Sequence, residues 1–446
     1  YNVLRTKLIL FVALITSIAT FSQKQWSLRE CVDQALEKNI TIQQNRLSLE
    51  LAKKNVEFTK GNFLPNVNAN TGGNLNFGTG FDPVSQDRVN TSFFGGNIGV
   101  SSGITVFNGF RNTNTYKQAQ LGVESSMLDL KKIENDISLF VVNGYLNVLF
   151  AKENLNVAKV QYEISKKQIE AAKSRYNSGV IAKGELLNTE STAATNLQTV
   201  ISTENALDLA LLNLAQLIQV PVEGFDVAPV DVGTPSANLF YKNSTLVYNK
   251  SLERMPEIER AKLAIENANL NVEISKSFFM PSVTASAGLS TNYGYNLKLP
   301  AGVSNSNFFD QINDNFGYGL GFNVNIPIFN RLQTKNRVAQ SVINKEISET
   351  RLESEKLSLK QTIEQSFLDV KTALKTYEAA KISLEAQEEA FKNSQERYNF
   401  GDMTLFDFEQ VRTRLVNAKA TMIRSKYDYV FKTKVLQFYS GDLTLD

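Results

Sequence analysis

Phe63-Leu64-Pro65-Asn66-Val67-Asn68-Ala69 returns 216 residues later as Phe279-Met280-Pro281-Ser282-Val283-Thr284-Ala285. The stretch is a boundary. Helical spacing of apolar residues precedes it (Leu47, Leu51, Val56), and strict alternation follows it (Val67, Ala69, Thr71, Leu75, Phe77). Proline at the boundary biases the preceding residue away from helix. Two further pairs keep the order and nearly the offset. Val106-Phe107-Asn108 matches Ile328-Phe329-Asn330, and Arg175-Tyr176-Asn177-Ser178-Gly179 matches Arg397-Tyr398-Asn399-Phe400-Gly401, each 222 residues apart. A unit of about 200 residues is duplicated.

Each copy supplies two strand patterns, about 66–77 and 93–107 in the first and 282–293 and 315–329 in the second. The last is the clearest: Phe316, Tyr318, Leu320, Phe322, Val324, Ile326 and Ile328 alternate with Gly317, Gly319, Gly321, Asn323 and Asn325. The polar positions are Asn, Ser, Thr and Gly with almost no charge, which suits a lumen better than bulk water. Aromatics gather near the strand ends, as in interfacial girdles. The lengths suit tilted transmembrane strands. Polar loops, roughly 78–92 and 294–314, join each pair.

Very long helical segments follow. Residues 112–176 contain no proline and only Gly122 and Gly144, and 332–398 contain neither residue. About 65 helical residues span about 100 Å. Each segment breaks at its Arg-Tyr-Asn-x-Gly and is followed by a return helix, about 184–218 or 404–438. Lengths beyond 25 residues mark coiled-coil architecture, and Ile137, Val141, Tyr145 and Leu149 form a buried stripe. Near the start, Ser27 and Glu30 have capping-box spacing. Pro256 opens the second copy's first helix.

Composition removes function classes. The 446 residues include no histidine and one cysteine, Cys31. The commonest general base, intramolecular disulfides and Cys-rich metal sites are therefore excluded. Cys31 reads as a buried structural thiol. No glycine-rich phosphate loop, Gly-x-Ser-x-Gly or metal spacing is present, so the chain is not read as an enzyme, and no cofactor is expected. Residues 1–22 read as a signal peptide, with Arg5 and Lys7 before an apolar run. Of 47 basic and 45 acidic residues, its removal leaves 45 of each (47 less two), which gives no support to nucleic-acid binding.

Four strands cannot close a membrane barrel, and an open edge in lipid is costly. Strands must be pooled between chains, eight from two or twelve from three. The hairpins would extend that wall into a conduit. The expected divisions are 1–22 signal, 23–226 first repeat with its hairpin at about 111–220, 227–255 linker, and 256–446 second repeat with its hairpin at about 332–438.

The Ser27–Ala35 opening, the paired helix-to-strand junctions, the Phe-Asn strand exits and the two tips together resemble the TolC-like outer-membrane efflux protein family (outer membrane factors). The resemblance covers Ser27 to about Ser440. It implies a mixed α+β membrane protein: a homotrimer whose twelve-stranded outer-membrane barrel continues into a coiled-coil helical barrel in the periplasm. Its function would be the exit duct of a tripartite efflux or type I secretion system, with a periplasmic adaptor, an inner-membrane pump and outer-membrane lipid as partners. It implies adaptor contacts at the tips (Arg175, Tyr176, Gly179, Arg397, Tyr398, Gly401), Gly179 and Gly401 also serving turns with positive φ. It implies a pore constriction at Asp407, with Tyr398 as its aromatic member and Glu185 as the first-copy counterpart of Asp407. The family's second acidic position falls on Gln410, and its gating arginine on Met403. Acidic residues at Asp407 and Glu185 also serve simple helix N-terminal stabilisation. The competing expectation is a coiled-coil scaffold or adhesin of the envelope.

Overall fold

The computed structural model describes residues 25–81, 88–230, 243–299, 302 and 304–442. The expected signal peptide lies outside the described residues. The elements in chain order are β1 (Gln25–Trp26), α1 (Leu28–Lys38), α2 (Ile40–Gly61), β2 (Asn66–Phe81), β3 (Arg88–Phe107), α3 (Arg111–Asn177), α4 (Lys183–Leu217), β4 (Asp226–Val227), α5 (Ser244–Arg254), α6 (Pro256–Ser277), β5 (Ser282–Asn296), α7 (Phe308–Asp314), β6 (Gly317–Asn325), α8 (Gln333–Asn399) and α9 (Leu405–Ser440). The long helices α3 and α8 have 67 residues each. The chain forms two compact units, and neither coincides with a sequence repeat. One takes the chain up to Arg46, Leu128–Glu259 and the chain from Ser354 onward; the other takes Leu47–Met127 and Arg260–Glu353.

The first unit is helical, with a small parallel pair, β1 and β4. Its core gathers Cys31, Ile42, Val141, Tyr145, Leu214, Ile218 and Val227. The row Ile137, Val141, Tyr145 and Leu149 is buried along α3, the stripe that the i, i+4 spacing sets. Tyr145 is fully buried, and its hydroxyl donates to Ala228 O at 2.7 Å and Trp26 O at 3.1 Å. It thereby fastens α3 to the chain on both sides of the β1–β4 pair. Ser27 and Glu30 form the capping box that starts α1: Ser27 Oγ accepts from Glu30 N at 3.2 Å and Ser27 N donates to Glu30 Oε2 at 2.9 Å.

The second unit holds an antiparallel sheet in the order β2-β3-β5-β6. Its register explains the alternation. Ala69, Val100, Leu289 and Tyr318 lie in one row across four strands, and Asn70, Gly99, Ser290 and Gly317 in the next. Side chains alternate faces, so one face is apolar and the other is Asn, Ser, Thr and Gly. Much of the apolar face is uncovered: Val67, Tyr318, Leu320 and Phe322 are all at least 70% exposed. Phe93 is the aromatic exception on the polar face. Its ring occupies the space where a Cβ at Gly95 or Gly294 would sit.

Three boundaries differ from expectation. β2 runs on to Phe81 and β3 begins at Arg88, so the connection expected at 78–92 shrinks to residues outside those described. β6 stops at Asn325 rather than at 329, although alternation continues to Ile328. Pro327 has no N–H to donate to the ladder. The connection expected at 294–314 contains α7, started by Asn307, whose side chain accepts from Phe309 N at 3.3 Å. Gln311 on α7 then binds back to the sheet, accepting from Gly294 N at 2.7 Å.

Candidate functional site: the two hairpin tips

The repeated Arg-Tyr-Asn-x-Gly ends α3 and α8 by the same mechanism. Val180 N donates to Arg175 O at 2.8 Å and Gly179 N to Tyr176 O at 2.9 Å. In the second copy Asp402 N donates to Arg397 O at 2.9 Å and Gly401 N to Tyr398 O at 3.0 Å. These paired bonds are the Schellman motif, which needs a left-handed residue after the last turn. Gly179 and Gly401 supply it, with φ of 72° and 82°. No atom lies within 4 Å of where their Cβ atoms would be, so backbone conformation alone demands glycine.

The copies then diverge. Asp402 follows Gly401 and holds Arg397, whose Nε donates to Asp402 Oδ2 at 3.2 Å. Val180 at the matching position has no charge, and Arg175 instead lies over the Tyr398 ring, 5.9 Å from its centre. Tyr398 stacks on Phe408 at 4.9 Å with planes 10° apart, and Phe408 meets Phe391 at 5.5 Å. This aromatic stack joins α8 to α9. Burial pushes the Tyr398 hydroxyl above its ordinary range; the Arg175 guanidinium opposes the shift, and Glu185 and Glu409 add to it.

The return helices start differently too. Thr404 caps α9, its Oγ1 accepting from Asp407 N at 3.2 Å and donating to Asp407 Oδ2 at 2.7 Å. Ala182 at the start of α4 makes no side-chain cap. The stabilising role open to an acidic residue at a helix start is thus visible at Asp407. Its Oδ1 has no partner among the described residues.

A cleft of about 680 Å³ brings the tips together. Glu185, Tyr398 and Asp407 line it, with Arg175, Arg397, Gly401 and Met403. Gln410, Tyr176 and Gly179 are not among its lining residues. Gln410 is exposed one turn along α9.

Sequence reasoning missed a buried polar cluster just behind the cleft. Arg412 is 3% exposed and donates to Gln168 Oε1 on α3; Ser165 Oγ lies 3.4 Å away and Glu409 Oε2 2.7 Å away. Asn196 on α4 donates to Ser165 Oγ at 2.6 Å. Burial pushes the Glu409 carboxyl up and Arg412 down, each opposed by the other's charge. The guanidinium thus joins α9 to α3, and Ser165 carries the link on to α4.

The sequence matches the family described as outer membrane efflux protein over residues 31–219 and 247–441. The chain belongs to that family. Among curated relatives it is 23% identical to outer membrane protein TolC of Escherichia coli strain K12 over 78% of this chain and 74% of that one. It is 21% identical to TolC of Vibrio cholerae over 98% and 95%. Its fold is similar to the Campylobacter jejuni CmeC outer membrane channel, with a TM-score of 0.75 at 18% identity, covering 94% of this chain and 86% of that one. Membership places the chain in the outer membrane of a Gram-negative cell, and the exposed apolar sheet face is suited to lipid there. Membership also makes the chain an exit duct for efflux or secretion, and sets aside the scaffold or adhesin expectation.

Proposed function

We propose that three copies pool their strands into a twelve-stranded barrel, and that the paired tips form its periplasmic gate and the docking surface for an adaptor delivering cargo from an inner-membrane pump. The observation that carries this reading is the convergence of both copies' tips on one cleft, with Glu185 and Asp407 beside Tyr398. A threefold axis passing the cleft would repeat Asp407 three times. Carboxylates so gathered favour cations and oppose one another's ionisation. One oxygen of each is engaged by Thr404, and the other is left for the lumen. Gln410 adds hydrogen-bonding capacity there without charge, so the constriction carries one acidic ring rather than the two that the family resemblance implies. The exposed Tyr176 ring and the two Schellman turns supply the rigid surface for the adaptor.

Single-channel conductance in a planar bilayer, for the wild type and Asp407→Ala, tests this. Cation-preferring conductance that rises or loses selectivity in the variant is expected. A pore whose conductance and selectivity ignore the substitution removes the acidic ring while leaving the duct.

A further inference from the structure

Four junctions join helices to strands in the sheet-bearing unit, at residues 60–65, 107–120, 276–282 and 325–340. Together they contain seven lysines and arginines and no aspartate or glutamate, in a chain whose charges nearly balance. Among the described residues only Lys276 of these seven has a carboxylate partner, Glu273 at 2.8 Å. Phe63, Leu64, Phe110, Phe279, Ile328 and Phe329 are exposed at the same junctions. A collar that is both cationic and apolar is matched to the boundary between lipid headgroups and acyl chains.

One place in the collar is shaped as a site. Arg111 at the start of α3 and Arg337 in the first turns of α8 both lie over the Phe278 ring, 4.9 Å and 4.3 Å from its centre. Their guanidinium carbons are therefore at most 9.2 Å apart, the sum of those distances. Neither guanidinium has a hydrogen-bond or ion-pair partner among the described residues. Both line a cleft of about 450 Å³, where the side chains of Asn330 and buried Thr334 are already joined by a hydrogen bond. The shared ring holds both forks at this one cleft, and planar guanidinium forks suit phosphate oxygens.

We propose that the Arg111–Phe278–Arg337 cleft binds the phosphate headgroup of an anionic phospholipid in the leaflet facing the helices, with the acyl chains lying against the exposed collar residues. The inference rests on the membrane placement of the strands and is independent of the gate at the tips.

The test is native mass spectrometry of the full protein in a neutral detergent, titrated with phosphatidylglycerol or with phosphatidylcholine of the same acyl chains. Phosphatidylglycerol should bind more tightly, and its advantage should shrink as salt is raised in the wild type. Arg111→Gln with Arg337→Gln should weaken phosphatidylglycerol by about thirty-fold, about five-fold per arginine near a membrane surface, and leave phosphatidylcholine unchanged. Arg111→Lys with Arg337→Lys keeps the charge and should lose less. Lys166→Gln with Lys375→Gln, an equal charge change elsewhere, should have no effect. Equal affinity for both lipids in the wild type overturns the proposal, as does unchanged phosphatidylglycerol binding in the glutamine pair. If inorganic phosphate at equal concentration displaces the lipid completely, the site is one for free anions. If the glutamine pair changes the number of chains per assembly but not lipid binding, the arginines serve a second copy instead.

Discussion

Arg412→Met removes one guanidinium and keeps most of the aliphatic stem. In the structure that guanidinium donates to Gln168 Oε1 and sits 2.7 Å from Glu409 Oε2, with the Arg412 side chain 4% exposed and that of Glu409 20% exposed. The substitution leaves an amide oxygen without its donor and a partly buried carboxylate without its cation. Breaking a buried pair from one side costs about 3–5 kcal/mol. The residual exposure of Glu409 puts this case at the lower end, about 3 kcal/mol. If that energy holds α9 against α3, amides of residues 405–415 should open about a hundred-fold more often in Arg412→Met. Hydrogen–deuterium exchange of the purified protein, resolved by peptide, reads this directly. Arg412→Met with Glu409→Gln should recover part of the protection, because it removes the orphaned charge. The pH dependence has a definite sign. Burial raises the Glu409 pKa above its usual 4.5, so the folded state holds that proton more tightly than the unfolded one. Protection should fall as pH rises from about 4.5 and level off above the raised value. Arg412→Met should extend the fall to higher pH, and Glu409→Gln should abolish it. Unchanged exchange at 405–415 in Arg412→Met would refute the idea that this cluster anchors the tip.

Two further substitutions probe other joints. Thr404→Ala removes the only side-chain cap at the start of either return helix and should cost about 1 kcal/mol, read as faster exchange confined to the first turn of α9; exchange matching wild type there would show that the cap is idle. Tyr145→Phe leaves the carbonyls of Trp26 and Ala228 without the phenolic donor in a buried site. It should destabilise the helical unit by about 1–2 kcal/mol, seen as a lower thermal midpoint, and an unchanged midpoint would mean that water replaces the hydroxyl.

What the sequence disclosed was local or periodic. Arg-Tyr-Asn-x-Gly could be read as a helix end because the Schellman bonds span six consecutive residues. The strand faces could be read because alternation is a property of each strand alone, and the register then aligned Ala69 with Val100, Leu289 and Tyr318. Pairing partners were less legible. The alternation through Ile328 hid the end of β6, where Pro327 ends the ladder while leaving the pattern intact. The short α7 was invisible inside a polar stretch because a capped helix of seven residues, about two turns, leaves too little periodicity to read. Arg412 looked like any lysine or arginine on a long helix. Its partners Ser165 and Gln168 are 247 and 244 residues away, and nothing in the spacing of either segment announces them. Asp407 was legible as an acidic residue past the tip, but its bond to Thr404 shows that the same position is already serving the helix.

The sheet order β2-β3-β5-β6 leaves one outer strand from each half of the duplication, β2 and β6, without a second neighbouring strand among the described residues. Such edges are templates for pairing, and unlike edges meet head to tail, the arrangement that closes into a ring. Each half of the duplication therefore supplies one of the two unlike ends of the sheet. In a proposed ring of three, insertion into lipid becomes a collective event whose rate depends on encounter between copies. Dilution should slow it steeply, and a single copy with a damaged edge should poison a ring that contains two sound ones.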